Sequence, residues 1–543
     1  MSKQHTTLDK DIFWRLIEIS TALSSERNKA RLFEKILDAA QDITFADGGT
    51  LYLLQEKNGK QVLEFEILRN NSLNLTLGGT SGRPIPFAPL PLYREDGTPN
   101  HNNIATHTAL TKKVENIEDA YFAQHLDFSG TKAFDARANY RSKSFLTTPL
   151  CNHADEVIGV LQLVNAKDPK TGETITFSEE LEPIVAALSS SVAIALENQI
   201  LLQDHKNLLD AFIQVIAQAI DAKSSHTSAH CQRVPVLTEL IAEAACAAKE
   251  GALKDFDLDE GDWYELRVAS WLHDCGKLST PDYLLDKATK LHILNDGIET
   301  VKARFGALMA QTELAFYKKM IASPEQESSL QEEMQAQLHE LKEQCLFIEK
   351  SNKGGEFMSE DAKQKVRDIA AYRWLDHTGI EQPMLSEQEV AFLCIERGTI
   401  TYDERQKINN HMTVTIQMLE SLPFPKNLKR VPEYAGGHHE KMDGTGFPKG
   451  LKRDEMSWPA RMMAIADIFE ALTAKDRPYK PGKTLSESLE ILGNFKQNGH
   501  IDPDLFDVFV RKKIYLKYAE LFLDPEQLDL VDTEKIPGYA GAE

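Results

Sequence analysis

The segment 270–285, SWLHDCGKLSTPDYLL, limits the possible folds and functions of the chain most, because it places three chemically active side chains in an otherwise apolar run. These are His273, Asp274 and Lys277. Charged groups are rarely buried unpaired, so either a neighbouring side chain or a metal ion must balance them. Residues three or four apart share a helical face, which lets Lys277 join the other two, and Gly276 removes bulk beside that face. Alone, the segment is equally typical of a salt-bridged helix end.

Further histidines and one more aspartate lie downstream and upstream of this segment. His226 and His230 form an i, i+4 pair, a spacing that can hold a metal ion but is also common by coincidence on surfaces. Asp467 interrupts an apolar helical run, where an unpaired carboxylate is costly. The other candidates are His411, at the start of an apolar stripe, and the consecutive His438 and His439 in the loop AGGHHEKMDGTGFPKGL. A salt bridge explains any one of these residues, but six histidines and two aspartates in one helical region favour a metal site.

The ordered pattern H…HD-x2-K…H…HHE-x2-DG-x-GFP…D resembles the HD-GYP family of metal-dependent phosphohydrolases over about 200–291 and 398–500. The resemblance implies an all-α bundle that holds two, sometimes three, metal ions, usually iron or manganese. It also implies hydrolysis of cyclic di-GMP to the linear dinucleotide and often on to GMP. Independently, mixed imidazole and carboxylate ligands suit iron, manganese or zinc better than calcium or magnesium.

The resemblance also implies a role for each motif residue. Asp274 would bridge two metal ions, and Lys277 would offer positive charge or a proton near the scissile phosphate. The other ligands would be His230, His273 and Asp467 for one ion, and His411, His438 and His439 for the second. Of the basic residues along the motifs, Arg477 and Lys480 match the family's substrate-side loop, so we expect them, with Lys277, to bind substrate. The remaining basic residues are Arg233, Lys441 and Lys449.

The chain departs from the family pattern in three places. Phe447 stands where members commonly have tyrosine, and His226 stands where members with a third metal carry glutamate. His226 and Arg233 are therefore secondary site candidates, and a third ion is an open question. An insertion over 292–397 separates motif segments that are close together in the family. Its two helical runs around ASPEQES predict a helical hairpin that serves as an interaction arm, a lid or a dimer element.

The first 183 residues resemble a GAF domain, an α/β sensory module with a central antiparallel sheet. The resemblance is carried by SFLTTPLCNHADEVIGVLQLVN and by two strand-like runs that flank an Asn58-Gly59 turn. Cyclic-nucleotide-binding members have an Asn-Lys…Phe-x3-Asp-Glu signature, but here Ala166 splits the first pair and Leu181 replaces the aspartate. Binding of an unknown small ligand, dimerisation and simple packing stay open. We expect a multi-domain α+β chain: 1–183 GAF-like, 184–225 linker helix, 226–543 phosphohydrolase domain.

The linker has a long helical pattern with near-heptad apolar spacing. The residues that carry it are Leu188, Val192, Ala195, Leu202, Leu209, Ile213, Ile216 and Ile220. The pattern predicts a parallel helix pair in a homodimer. The alternative is that this face packs on its own domain.

Composition excludes several classes of function. A net charge of -22 argues against a nucleic-acid polymer as partner, although a small phosphate ligand in a locally basic pocket remains compatible. The six cysteines include no CxxC pair, which argues against a disulfide framework and a thiolate zinc site. Because the N-terminus has no signal pattern and no run of about 18 apolar residues occurs, the sequence predicts a cytoplasmic protein without a membrane partner.

Three functions fit these patterns. The first is a cyclic di-GMP phosphodiesterase regulated by its GAF domain. The second is a hydrolase of the wider HD superfamily that acts on another nucleotide or a mixed cyclic dinucleotide. The third is a non-catalytic receptor, which need not retain Asp274 and Lys277.

Overall fold

The computed structural model describes residues 17–539, apart from residues 24, 27, 125, 224–228, 356 and 476–481. The chain divides into two compact units, Met1–Leu208 and Leu209–Glu543. Each has its own hydrophobic core. The domain boundaries expected from the sequence stay a prediction, because one continuous helix, Glu182–Lys223, occupies most of the expected linker.

The first unit is built on an antiparallel sheet, as the sequence predicts. Its strands are β1 (Ala46–Lys57), β2 (Lys60–Asn70), β3 (Leu75–Gly78), β4 (Leu90–Pro91), β5 (Glu115–Ile117), β6 (Phe145–Cys151), β7 (Val157–Lys167) and β8 (Thr174–Ile175). The order is β3-β2-β1-β7-β6-β5, with β4 beside β2 and β8 beside β7. The β1–β2 hairpin turns at Asn58 and Gly59, whose φ angles of 53° and 73° are those that an Asn-Gly turn favours.

Helices cover both faces of this sheet. They are α1 (17–23), α2 (Lys29–Thr44), α3 (Ile104–Thr111), α4 (Ser129–Ala138) and the first part of α5 (Glu182–Lys223). Leu51 and Leu53 of β1 pack with α2 and α5, whereas Tyr52 packs with α3, as the two-residue period of a strand requires. The stretch from about 70 to 130 is polar, contains prolines and has little periodicity, so the sequence predicts loops there; α3 shows that this prediction is wrong. Most of α3 is buried, so it lacks the polar face that makes a helix recognisable.

The described part of the second unit is mainly helical. Its helices are α6 (His230–Cys246), α7 (Glu260–Leu272), α8 (Asp282–Leu285), α9 (Ile298–Ala322), α10 (Glu327–Asn352), α11 (Glu360–Ala370), α12 (Glu387–Leu393), α13 (Tyr402–Asn409), α14 (His411–Glu420), α15 (Val431–Gly436), α16 (Trp458–Thr473), α17 (Leu485–Gln497), α18 (Pro503–Arg511) and α19 (Ile514–Phe522). α6 is central, since α7, α16, α18 and α19 all pack around it. Its apolar residues Val234, Leu237 and Ile241 are fully buried in that core.

The insertion forms a helical hairpin, as expected, and has a small core of its own. α9 and α10 run against each other, and Phe305, Leu341 and Ile348 are buried between these helices and α11–α12. A short hairpin of β9 (Arg373–Leu375) and β10 (Glu381–Pro383) adds strand to a region expected to be entirely helical. Lys290 ties the start of the insertion to its end, because its buried ammonium group donates to the carbonyl oxygens of Leu393 and Ile395, both at 2.8 Å.

Helix α5 packs with the face that the sequence assigns to a partner helix. Leu188, Val192, Ala195, Ile213 and Ile220 are buried against their own units. For these five residues the alternative, packing on their own unit, holds. Leu202 of the same predicted seam is exposed, and the homodimer stays a prediction. The helical stretch 179–223 is long and apolar enough to cross a membrane. Of its most apolar 18 residues, 39% are buried within the protein. Core helices of soluble proteins meet the same criterion, and the cytoplasmic location stays a prediction.

Candidate metal centre

Five helical segments of the second unit meet at one point, and each delivers one or two of the predicted ligands. His230 is the first residue of α6, His273 follows the last residue of α7, and His411 is the first residue of α14. The remaining ligands lie on the 3-10 turn after α7, after the end of α15 and within α16: Asp274, His438, His439 and Asp467. His273 and Asp274 thus lie at a helix end rather than within a helix.

The first group of ligand atoms surrounds Asp274 Oδ2. This oxygen lies 3.2 Å from His230 Nε2 and 3.3 Å from His273 Nε2. Asp467 Oδ1 lies 3.3 Å from His230 Nε2 and 3.9 Å from His273 Nε2. These side chains therefore converge as the sequence analysis expects for one metal ion.

The second group surrounds the other oxygen of the same carboxylate. His411 Nε2 lies 3.3 Å from Asp274 Oδ1, and the rings of His438 and His439 lie with centroids 4.4 Å apart and planes tilted by 40°. Ligand atoms of Asp274, His411, His438 and His439 all lie within 4.8 Å of one another, as do those of the group His230, His273 and Asp274. Asp274 belongs to both groups, which is the arrangement of a bridging carboxylate.

Hydrogen bonds on the far side of four imidazole rings fix which nitrogen faces the site. His273, His411 and His438 each direct Nδ1 at a backbone carbonyl oxygen three residues earlier, at 2.8, 2.6 and 2.7 Å. A carbonyl oxygen can only accept, so Nδ1 carries the proton and Nε2 of the neutral ring carries the lone pair. His230 Nδ1 lies 2.5 Å from Glu470 Oε2, which has the same consequence. Such outer partners are typical of metal-binding histidines.

The donor set fits a cation rather than a network of hydrogen bonds. Asp274 Oδ1, His411 Nε2 and His438 Nε2 are buried and have no hydrogen-bond partner among the described residues. Buried polar atoms without partners are costly, and here they are all electron-pair donors that face one another. Imidazole and carboxylate donors of this kind fit divalent transition-metal ions.

The electrostatics of the site also favour positive charge. Burial alone would raise the pKa of Asp274, yet Lys277 and His273 outweigh it and hold this pKa well below its usual range. Burial would likewise lower the pKa of His230, but Glu470, Asp274 and Asp467 raise it instead. Burial lowers the pKa of His439 to about 4, which keeps this ring neutral and able to bind a metal at physiological pH.

The partly exposed side of the site is formed by Lys277, His439 and Asp467, while the other ligands are buried. Lys277 Nζ donates to Asp274 Oδ2, so the expected grouping of His273, Asp274 and Lys277 is present. Burial would lower the pKa of Lys277, but Asp274 and Asp467 raise it above its usual value. The ammonium group of Lys277 is therefore charged at neutral pH and lies on the partly exposed side of the site.

Two glutamates that the sequence analysis did not single out support the ligands. Glu470 is buried between His230 and Arg233, whose guanidinium group donates to Glu470 Oε1 at 2.7 Å. Arg233 is therefore directed at Glu470. Glu440 is also buried, and its carboxylate accepts from the backbone N–H groups of the loop at Lys449, Gly450 and Leu451. The loop that follows His439 is held in this way.

Phe447, which replaces the tyrosine common in the resembling family, stacks on His439. The two ring planes differ by 17° and their centroids lie 4.8 Å apart. This contact needs no hydroxyl group, so the replacement leaves the placement of His439 intact. The secondary candidate His226 and the expected substrate-binding residues Arg477 and Lys480 lie outside the described residues and remain predictions.

Replacing Glu470 by glutamine should weaken metal binding by about 10- to 100-fold, the usual effect of losing an outer-shell partner. The amide removes the negative charge that orients His230, and it leaves Arg233 without a carboxylate. We would measure iron and manganese affinity by competition with a chelator. Glu487→Gln, on the exposed side of α17, is the matched control. Unchanged affinity with a lower melting temperature would limit Glu470 to a purely structural role.

Two protein-family models match the chain. The model described as GAF domain matches residues 28–196, and that described as HD domain matches residues 366–505. The chain is a GAF–HD domain protein. The resemblances inferred from the sequence are thereby confirmed, and the HD match includes the ligands His411, His438, His439 and Asp467.

Curated relatives of this GAF–HD protein are named as phosphodiesterases of cyclic dinucleotides. The 3'3'-cGAMP-specific phosphodiesterases 1 and 3 of Vibrio cholerae are 39% identical over 23% of this chain and 26% identical over 62% of it. A cyclic di-GMP phosphodiesterase of Pseudomonas aeruginosa is 45% identical over 14% of the chain. The matched segments cover 25%, 48% and 17% of these three relatives' own length. Among solved structures, the GAF domain of an Acinetobacter phosphoenolpyruvate-protein phosphotransferase matches 36% of this chain and 97% of that chain, at 16% identity and a TM-score of 0.25.

Proposed function

We propose that this GAF–HD protein is a metal-dependent phosphodiesterase that hydrolyses cyclic di-GMP to the linear dinucleotide or to GMP. The sharing of Asp274 by two groups of histidines carries the proposal. A pair of metal ions roughly 3.5–4 Å apart is the usual device for displacement at a phosphodiester. The names of the relatives agree with such a reaction.

The ligand residues would hold two divalent ions, with iron or manganese the expected metals. His230, His273 and Asp467 would bind one ion, His411, His438 and His439 the other, and Asp274 both. When bound, such ions polarise a phosphoryl oxygen and lower the pKa of a water molecule. A third ion would depend on His226, which lies outside the described residues.

Lys277 is the residue proposed to act directly on the substrate. Its ammonium group is partly exposed and lies beside the shared carboxylate of Asp274. From there it can pair with a phosphate oxygen and donate a proton to the departing oxygen as the phosphodiester opens. Arg477 and Lys480 are proposed, from the sequence alone, to bind the substrate's second phosphate.

Replacing Lys277 by methionine should lower turnover by about 100-fold, at the lower end of the range for a positioned proton donor. Metal content should stay at the wild-type level, because Lys277 has no lone pair to offer at neutral pH. Lys254→Met, at an exposed position of the same unit, controls for the loss of one positive charge. Turnover equal to that of the control would remove Lys277 from the mechanism.

A mixed cyclic dinucleotide is the second candidate substrate. The two Vibrio cholerae relatives are named for 3'3'-cGAMP, and the one named phosphodiesterase 3 matches 62% of this chain. Both substrates share a ring of two phosphodiesters and differ in one base. The residues proposed to act on the substrate would contact its phosphates, so they give no reason to prefer one base over the other.

Protein purified without oxygen should contain metal and convert one or both dinucleotides into linear products that chromatography separates. Faster conversion of 3'3'-cGAMP would decide for the second candidate. Metal-loaded protein that binds a dinucleotide without turnover would be the receptor that the sequence analysis considers. Protein that neither binds metal nor turns over either dinucleotide would overturn the proposal.

The GAF domain is proposed to regulate this activity by binding a small molecule. It has a cavity of about 400 Å³ over the sheet, lined by Tyr52, Phe65, Phe87, Phe134 and Gln162 among others. A ligand there would bias one arrangement of α5, and the HD domain would respond.

Deletion of residues 1–180 should abolish the response of turnover to small-molecule cell extract. The same response after deletion would contradict regulation through this domain. A protein partner for the insertion stays a prediction.

A further inference from the structure

The end of helix α5 packs within the second unit, close to segments that carry metal ligands. Ile213, Ala217 and Ile220 of this stretch are buried in the same hydrophobic core as residues of α6 and α7. Two charged side chains of the last turn accompany them: Asp221 is buried and Lys223 is partly buried. Because charged side chains are almost never buried unless they are paired, their contacts indicate what this helix end does.

Asp221 supplies a cap that helix α6 lacks. α6 begins at His230, and the preceding residue, Ala229, has no side chain that could accept a hydrogen bond. The first N–H groups of a helix have no partner within the helix. Here the backbone N–H of Cys231, the second residue of α6, donates to Asp221 Oδ1 at 3.4 Å. The carboxylate also lies at the positive end of α6, where negative charge is favourable, and it thereby holds the backbone next to His230.

Lys223 contacts the turn that follows Asp274. Its ammonium group donates to the backbone carbonyl oxygen of Leu278. Leu278 belongs to the 3-10 turn Cys275–Ser279, which begins directly after Asp274 and contains Lys277. The last turn of α5 therefore holds the segment that carries the shared carboxylate and the proposed proton donor.

A third polar contact joins the same stretch of α5 to α7. Tyr264 of α7 donates through its hydroxyl group to Asp210 Oδ1 at 2.9 Å, and His273 follows the last residue of α7. The three contacts reach α6, α7 and the turn after α7. These segments carry His230, His273 and Asp274, the three residues that meet at the first ligand group.

We propose that the last turn of α5 positions the ligands of the first ion, with Asp221 acting on His230 and Lys223 acting on Asp274. Both are positioning residues, because each contacts the backbone beside a ligand rather than the ligand atoms. Their roles depend on the proposed two-metal centre. The histidines of the second ion are carried by α14 and by the segment after α15, so loss of Asp221 should weaken the first ion alone. Regulation through α5 would then act on the occupancy of one of the two ions.

Titration of metal-free, full-length protein with Mn²⁺ tests the proposal. The wild type should bind two ions per chain. Asp221→Ala should bind one of them about 10-fold more weakly, the lower end of the effect of an outer partner, and the other as the wild type does. Asp221→Asn keeps an oxygen that can accept from the Cys231 N–H and should restore most of the affinity. Asp204→Ala, at an exposed position of α5, is the matched control and should equal the wild type.

Two further backgrounds show which ion is affected. His439→Ala removes a proposed ligand of the second ion, and Asp467→Asn removes one of the first. Adding Asp221→Ala should weaken Mn²⁺ binding in the His439→Ala background and leave it unchanged in the Asp467→Asn background. Weaker binding in both backgrounds, or in neither, would overturn the inference and leave the two-metal proposal intact.

Amide hydrogen exchange of the metal-free protein tests the positioning without any metal. Asp221→Ala should speed exchange in the first turn of α6, and Lys223→Met should speed it in the turn Cys275–Ser279. Lys223→Arg, which keeps a donor, should leave exchange in that turn at the wild-type rate. Unchanged exchange in both segments would overturn the inference. Wild-type protein that binds no Mn²⁺ would overturn the proposed function instead, and hydrogen exchange would still decide on the positioning.

Discussion

Replacement of Asp274 by asparagine is expected to abolish hydrolysis of cyclic dinucleotides and to deplete bound metal. The carboxylate offers one oxygen to each group of histidines. An amide has only one oxygen, which carries no net negative charge, and its NH2 group is a hydrogen-bond donor that cannot bind a metal ion. Loss of an outer-shell partner lowers metal affinity or activity by about 10- to 100-fold. Loss of the shared residue itself should have a larger effect and reduce turnover to background.

The effect of Asp274→Asn should be specific to the site. Metal content by mass spectrometry and product formation by chromatography are measured together, with Asp255→Asn, at an exposed position, as the control. Circular dichroism well below the melting temperature establishes that the helices persist. A variant that keeps full metal content and wild-type turnover would show that Asp274 is not a shared ligand, and the two-metal proposal would fall.

Several candidate metal-binding residues could be selected from the sequence because they depart from the pattern around them. Asp467 interrupts an apolar helix, and His438 and His439 occupy a glycine-rich loop. Residues of this kind are visible without a structure because they are costly to bury. Their convergence, in contrast, rests on the order of motifs shared with a known family.

The supporting residues could not be predicted in the same way. Glu440 acts on the backbone of its own loop, and no spacing or period marks such a contact. Glu470 did have a signal, since it is a second carboxylate in the apolar run that contains Asp467. Its partners, His230 and Arg233, lie some 240 positions earlier in the chain, so only the fold shows what balances its charge.

Helix α5 shows the limit of a heptad pattern as a prediction. Apolar residues occur on most sides of this helix, and two interleaved heptad sets can be drawn through them. The sequence cannot tell which set the chain buries itself. The structure buries Leu188, Val192 and Ile213 of the predicted seam and leaves Leu202 of the same seam exposed.

Replacement of Gly276 by alanine is expected to cost about 3 kcal/mol or more in the free energy of unfolding, the upper range for overpacking a core. A Cβ atom at this position would lie 2.0 Å from the carbonyl oxygen of His411 and 2.6 Å from the backbone nitrogen of Thr415. The Gly276 N–H also donates to Thr415 Oγ1 at 2.9 Å. The turn that carries Asp274 therefore lies directly against the first turn of α14, and only glycine allows this distance.

The same substitution should reduce metal binding. Asp274 lies on the turn that contains Gly276 and His411 lies on the first turn of α14, so the clash would move these two residues apart. Gly306→Ala is the control: this glycine is exposed within α9 and has no atom within 4 Å of an added Cβ, so alanine there should stabilise by about 0.5–1 kcal/mol. Chemical denaturation and metal affinity are measured for both variants. Wild-type stability and metal affinity in Gly276→Ala would mean that the approach of α14 to the Asp274 turn is not tight, and the shared carboxylate would lose its structural basis.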